Sequence, residues 1–299
     1  MNFHWLLGLL FFSQQVNMPD SLLITNNGHT LSTKNRSDFS MYYPELPIIN
    51  TEKLNVLMDE INQKVSKMPK NAIIDQKGNI IREQVGYRLN RQTFTEQVYS
   101  FYFNKDTSRL EIPLQLIYPN VDSELLGEIR NEKIGEYVTS FNSYNQGRTN
   151  NIFLATKAIN NFVLFPGESF SFNKVVGKRT SVKGYLPAAV ISKGELSEDI
   201  GGGICQVSST LFNAVDNAGL KVIKRFSHSR PVNYIPPGRD ATVSWNGPDF
   251  VFKNNYNQPI LIQAKTLGNK LIIELYSSDV IKFFPKEVPN LPYEQNPPK

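Results

Sequence analysis

The chain has one cysteine and three histidines. Cys205 directly follows Gly201, Gly202, Gly203 and Ile204. Beyond it Val207, Leu211, Ala214, Val215 and Ala218 recur every three to four residues, and Gly219 stands where a left-handed C-cap would end a helix. The spacing places Cys205 in the first turn of a helix entered through a glycine loop. First-turn N–H groups lack partners inside the helix and carry the positive end of its dipole. Both favour a thiolate over a thiol. Glycines allow close approach of backbone to substrate, and the N–H groups of Gly202 and Gly203 would face a developing oxyanion. A lone cysteine is usually a small core residue, but a core residue has no need of three preceding glycines.

His4 lies in an N-terminal apolar block and His29 in a polar stretch. His228 is separated from Cys205 by the length of a helix, a turn and a returning strand, so the two side chains can meet. Cysteine and histidine form a minimal nucleophile–base pair, usually with a third group to orient the histidine. Asp240 is the candidate for that role, and a backbone carbonyl would serve equally well. On its own, His228 reads as a solvated histidine at a strand end. Arg225, Arg230 and Arg239 surround the same corner. Arginine binds carboxylates in bidentate fashion, so a substrate bearing carboxylates would suit them, although each alone reads as surface charge. Gln206, Ser229, Arg230 and Arg239 make up the candidate substrate-contacting set. Ser208 and Ser209 read as packing or support.

These residues need a scaffold, and 299 residues suffice for one large domain or two ordinary ones. The 40% hydrophobic and 20% charged content describes a globular chain, not a disordered one. A single cysteine excludes an intrachain disulfide and any multi-cysteine metal site. No metal or organic cofactor is implied. The net charge of +5 comes without a dense Lys/Arg run. It therefore argues against nucleic acid and for solubility plus affinity for an anionic surface.

Residues 3–12 form an apolar block too short to span a membrane as an ordinary helix, which needs about 20 residues. The expectation for residues 1–18 is a signal peptide, cleaved or retained as a membrane anchor. No Lys or Arg precedes the block, and no small-x-small cleavage site follows it. Residues 19–49 read as a polar linker broken by Asn27-Gly28, Pro44 and Pro47. Residues 50–118 read as a small α+β module of helix, hairpin, helix and strand. Its first helix carries Leu54, Leu57, Met58, Ile61 and Val65, and a turn over residues 75–79 makes its hairpin. A further strand is expected near 134–141 and a helix over 152–162 capped by Asn151. More strands are expected before the glycine loop and after His228. The proline-rich residues 285–299 are expected to be extended or disordered. The fold class is α+β: a small N-terminal module followed by a mixed, β-rich domain with the cysteine at a helix N-terminus.

Several motifs, in order, resemble the VanW domain. They are Gly167-Glu168-Ser169-Phe170-Ser171-Phe172-Asn173, the run from Gly201 through Leu211 with Cys205 inside it, and His228-Ser229. Gly238-Arg239-Asp240-Ala241-Thr242, Asn254-Asn255 and Pro259-Ile260-Leu261-Ile262 complete the set. The match spans about 134–277. Residues 50–118 are similar to a peptidoglycan-binding module that often precedes such domains. The resemblance implies an exported protein of Gram-positive cell walls. Some members of that family are regarded as L,D-transpeptidases with a cysteine nucleophile, a role that falls here on Cys205 with His228 as base. The partners so implied are peptidoglycan stem peptides and the anionic wall surface. The competing readings are a non-catalytic wall-binding accessory protein linked to glycopeptide resistance, and a cysteine hydrolase with water as acceptor.

Overall fold

The computed structural model describes residues 20–41, 48–104, 108–192 and 195–290. The N-terminal block at 1–18 and the last residues of the proline-rich tail lie outside them. The chain divides into two compact units, residues 1–71 with 84–120, and residues 72–83 with 121–299.

The first unit begins where a linker was expected, and that expectation is corrected. β1 (Ser21–Asn26) and β2 (His29–Asn35) form an antiparallel hairpin. Its turn is Asn27-Gly28, both with positive φ, the dipeptide a tight hairpin turn favours. Leu22 and Ile24 of β1 are fully buried. The short α1 (Arg36–Phe39), β3 (Ser40–Met41) and β4 (Ile48–Ile49) lead to α2 (Thr51–Val65). Asn50 caps α2 by accepting from the Lys53 N–H at 3.0 Å. β5 (Ile73–Ile74) and β6 (Ile80–Ile81) form the expected hairpin, but it belongs to the second unit. Asn161 there accepts from the Ile74 N–H at 2.9 Å and donates to the Ile74 carbonyl at 3.0 Å. The chain returns through β7 (Gly86–Leu89), α3 (Arg91–Asn104), β8 (Arg109–Glu111) and β9 (Leu114–Ile117). β8 adds in parallel to β1, and β7 pairs with β9. Leu54, Leu57, Met58, Ile61, Phe94, Val98 and Phe101 pack with Leu22 and Ile24 as one core.

The second unit starts with α4 (Ser123–Ile129), β10 (Glu132–Ser140) and α5 (Gln146–Ile159). α5 begins earlier than expected, because its cap is Asn145 and not Asn151. Next come β11 (Phe162–Leu164), β12 (Ser169–Ser171), α6 (Phe172–Val176), β13 (Pro187–Ser192) and β14 (Glu195–Ile200). The acidic residues before the glycine loop thus form a strand, paired with β13. α7 (Ile204–Asn217), β15 (Lys221–Lys224), β16 (Val251–Lys253), β17 (Ile260–Leu267) and β18 (Lys270–Ser277) complete the unit. The main sheet is antiparallel in the order β10-β18-β17-β11, and β12, β16 and β15 make a second one. Residues 285–290 are fastened down: Lys286 N–H donates to the Asn217 carbonyl at 2.9 Å, and Tyr137 hydroxyl donates to the Pro289 carbonyl at 2.7 Å.

α7 lies directly on β10. A Cβ at Gly135 would meet the Ala214 carbonyl oxygen at 2.7 Å and Ala218 Cβ at 2.8 Å. The register slips between Lys133 and Gly135, at the same point. Gly135→Val is therefore expected to lose about 1–3 kcal/mol by overpacking. Urea unfolding checks this, and an unchanged midpoint would mean that α7 tolerates displacement from the strand.

Candidate active site

Cys205 is the second residue of α7 and is half-buried. Gly203 is the N-cap with φ 103°, a conformation that costs glycine little and other residues much. Gly202 is packed so closely that a Cβ would meet the Ala188 carbonyl oxygen at 2.5 Å. Asn151, fully buried in α5, accepts from the Leu186 N–H at 2.8 Å. It also donates to the Leu186 carbonyl at 2.8 Å and the Gly202 carbonyl at 3.0 Å. The glycine loop is thus fixed by a buried amide as well as by its own backbone.

The segment opposite the thiol is bolted to α7 by its serines. Ser208 Oγ donates to the Ala241 carbonyl at 2.5 Å, and Ala241 N–H donates to Ser209 Oγ at 2.9 Å. Thr242 N–H donates to the Phe226 carbonyl at 2.7 Å. Arg225 Nη1 donates to the Gly238 carbonyl at 2.8 Å and the Asp240 carbonyl at 3.0 Å. These bonds bring His228 and Asp240 to the same corner. Asp240 Oδ2 lies 2.7 Å from His228 Nδ1 and accepts from the His228 backbone N–H at 2.6 Å. With Nδ1 so engaged, Nε2 is the ring nitrogen left for the thiol, and His228 and Cys205 are close enough for each to shift the other's ionisation. Cys205 Sγ also lies 3.5 Å from both the Val243 N–H nitrogen and its carbonyl oxygen, and 3.7 Å from Thr242 Oγ1.

Electrostatics shift both partners toward their charged forms. Burial pushes the Cys205 thiol up, but the His228 ring, the Val243 N–H and Thr242 outweigh it, and its pKa falls below that of an ordinary cysteine. Burial pushes His228 down, while the thiol and Asp240 push it up, with a net rise. Burial likewise opposes ionisation of Asp240, yet its two bonds from His228 hold it below the usual carboxylate value. A thiolate–imidazolium pair steadied by a carboxylate is the ground state of an activated nucleophile.

Other candidates sit differently. Gly202 N–H points at the Asp199 carbonyl, 3.4 Å away, and its own carbonyl holds Asn151. The N–H groups of Gly203 and Cys205 make no backbone hydrogen bond among the described residues, so these two remain for an oxyanion. Gln206 is buried, and its amide is engaged inside the unit. Its Nε2 donates to Thr139 Oγ1 at 3.0 Å and the Ser140 carbonyl at 2.9 Å. Arg239 is committed elsewhere: Nε donates to Asn213 Oδ1 at 2.7 Å and Nη2 pairs with Asp216 at 2.8 Å. Arg225 and Arg239 both lie over the Phe212 ring, at 4.6 and 4.8 Å. Ser229 and Arg230 are exposed beyond His228.

Two arginines that sequence reasoning missed are acted on by the charge of Cys205. Arg148 of α5 donates through Nη2 to Gln206 Oε1 at 2.7 Å and lies over the Tyr234 ring. Arg179 donates through Nη1 to Asn173 Oδ1 at 2.8 Å and lies over the Phe172 ring. Burial lowers both guanidinium pKa values, and the charge of Cys205 opposes that shift in both. Tyr234 is pushed far above the usual phenol value, first by its burial. Nothing in the local sequence marked Arg148 or Arg179, since only tertiary packing brings them to Cys205. Among the described residues, no group of three or more His, Cys, Asp or Glu could hold a metal ion.

Comparison with known proteins bears on this geometry. A family model described as "VanW like protein" matches residues 147–276, a span containing Cys205, His228 and Asp240. The "Uncharacterized protein YoaR" of Bacillus subtilis (strain 168) is 53% identical over 285 residues, covering 95% of this chain and 94% of that protein. The chain belongs to the VanW family. A second relative, the "Vancomycin B-type resistance protein VanW" of Enterococcus faecalis (strain ATCC 700802 / V583), is 28% identical over 139 residues. That alignment covers 45% of this chain and 50% of the relative. No solved structure matches the chain. The VanW match lies wholly in the second structural unit. Among the described residues, no helix of this VanW-family protein is long and apolar enough to cross a membrane.

Proposed function

We propose that the protein is an exported cysteine acyltransferase of L,D-transpeptidase type that acts on peptidoglycan stem peptides. The observation that carries this reading is the convergence of Cys205, His228 and Asp240, with the thiol held low and the imidazole high. Cys205 Sγ attacks the carbonyl carbon of the third stem residue. The carbonyl oxygen takes up the charge beside the Gly203 and Cys205 N–H groups. The tetrahedral centre collapses with loss of the terminal D-alanine, whose amine takes the proton from His228. The resulting thioester is then attacked by the side-chain amine of a second stem. His228 accepts the amine proton, the C–S bond breaks, and a 3→3 cross-link forms. Asp240 holds the ring on its Nδ1 side throughout. Export is supported by the apolar block at residues 3–12. A cell-wall context is supported by similarity to a relative named for vancomycin resistance.

The test is incubation of the purified protein with tetrapeptide muropeptides, followed by mass spectrometry. The expected products are free D-alanine and a cross-linked dimer. D-alanine without dimer would make water the acceptor and the protein a carboxypeptidase. A folded protein that releases no D-alanine would leave the VanW domain as a recognition module.

A further inference from the structure

Two cations flank the glycine loop. Arg148 lies against Gly203, where a Cβ would sit 2.9 Å from Arg148 Cγ and 3.3 Å from its Nη1. Arg179 lies against Gly201, where a Cβ would sit 3.2 Å from Arg179 Cβ. A separate path of contacts also leads from Arg179 to the thiol. Asn173, which accepts from Arg179, donates through Nδ2 to the Ser244 carbonyl at 2.9 Å. The adjoining Val243 meets Sγ at 3.5 Å through both its N–H and its carbonyl.

Neither guanidinium forms an ion pair with an acid among the described residues. Arg148 is held by a neutral amide and an aromatic ring, and so is Arg179. Asp249, the carboxylate whose charge reaches Arg179, spends its oxygens on the Ser171 hydroxyl at 2.6 Å and the Asn173 N–H at 2.9 Å. Arg179 Nη2 is buried without any hydrogen-bond partner. Withdrawing a guanidinium from water without a counter-charge is unfavourable. A charge on Cys205 answers one positive charge at most, and it is shared with His228 and both guanidinium groups. Two half-buried, unpaired guanidinium groups beside a nucleophile call for an anionic ligand, and the planar fork of arginine fits a carboxylate.

We propose that Arg148 and Arg179 form a carboxylate-binding subsite beside Cys205, which selects acyl donors whose departing residue ends in a free carboxylate. The proposal rests on the reading of Cys205 as an acyl-accepting nucleophile and specifies its donor. It moves carboxylate recognition from Arg239, which is tied to Asp216, to arginines far away in sequence.

The test uses two alkylating agents on the intact protein. Iodoacetate and iodoacetamide attach the same carbon to Cys205 Sγ and expel iodide, and they differ in one negative charge. Their rate ratio cancels the thiolate fraction, so it reads recognition of the charge alone. The iodoacetate-to-iodoacetamide ratio is expected to exceed that of free N-acetylcysteine by about tenfold or more, as one charge-assisted hydrogen bond would give. Arg148→Gln and Arg179→Gln should each pull the ratio back toward the free-thiol value. In the wild type, N-acetyl-D-alanine should protect Cys205, and its amide should not. A wild-type ratio no higher than that of N-acetylcysteine overturns the subsite, as does a high ratio that both folded variants retain. Equal protection by the acid and the amide overturns it too. If the variants fail to fold, the wild-type ratio and protection decide. Muropeptide turnover is judged separately: a raised ratio without turnover removes the transferase reading and keeps the subsite, and turnover with an ordinary ratio does the reverse.

Discussion

Cys205→Ala is expected to abolish release of D-alanine, and His228→Ala to slow it by about 10²–10⁴-fold, the contribution of a positioned general base. The double variant should be no slower than Cys205→Ala alone. The imidazole acts only through the thiol, and residues that act as one unit are non-additive in this way. The structure adds a reason for a large histidine effect. Once the ring is gone, burial still opposes ionisation of Cys205, and the Val243 N–H and Thr242 favour the thiolate without the largest of the opposing contributions. Full turnover in His228→Ala, measured by D-alanine release, would mean that the ring is a neighbour and not a base.

The second large effect concerns Asn151, which touches no reacting atom. Asn151→Leu keeps the branched shape but removes the partner of the Leu186 N–H and of the buried Gly202 carbonyl, while the Leu186 carbonyl keeps its bond from the Gly201 N–H at 3.1 Å. An unsatisfied buried polar group costs about 1–3 kcal/mol, and a loss in that range is expected from the Gly202 carbonyl. The urea midpoint should fall with its slope unchanged. Turnover should fall with it, because the Gly202 carbonyl anchors the loop that presents Cys205. An unchanged midpoint would show that these groups find other partners, since a stranded buried carbonyl costs about 1 kcal/mol or more.

The sequence marked part of the site because part of it is local. Three glycines and a helical period put Cys205 near a helix start, and the structure finds it at the second position of α7. His228 and Asp240 stand out as the remaining histidine and a nearby acid, and the structure pairs them with each other and sets the imidazole beside the thiol. Arg148, Arg179 and Asn151 were invisible because α5 and residue 179 meet the loop only in the folded chain. Asn151 was read as a cap for a reason that periodicity cannot correct. Gly147, Arg148, Thr149 and Asn150 look like a polar loop, yet they are the first turns of α5 under the Asn145 cap. At residues 19–49 the polar composition hides a hairpin. Leu22 and Ile24 alternate ahead of Asn27-Gly28, a signal that a stricter period-2 count would have caught. The 73–81 hairpin was legible as a hairpin, but its assignment to the second unit depends on Asn161.

The most direct test of the central claim is the pH dependence of Cys205 alkylation by iodoacetamide. The lowered thiol pKa and the raised imidazole pKa both act toward coexistence of thiolate and imidazolium. The wild-type profile is therefore predicted to inflect well below the ~8.5 of a free cysteine. In His228→Ala the inflection should move upward, because burial is then opposed by less. A wild-type profile that titrates near the free-thiol value and is unchanged by His228→Ala would contradict the account and leave Cys205 an ordinary thiol.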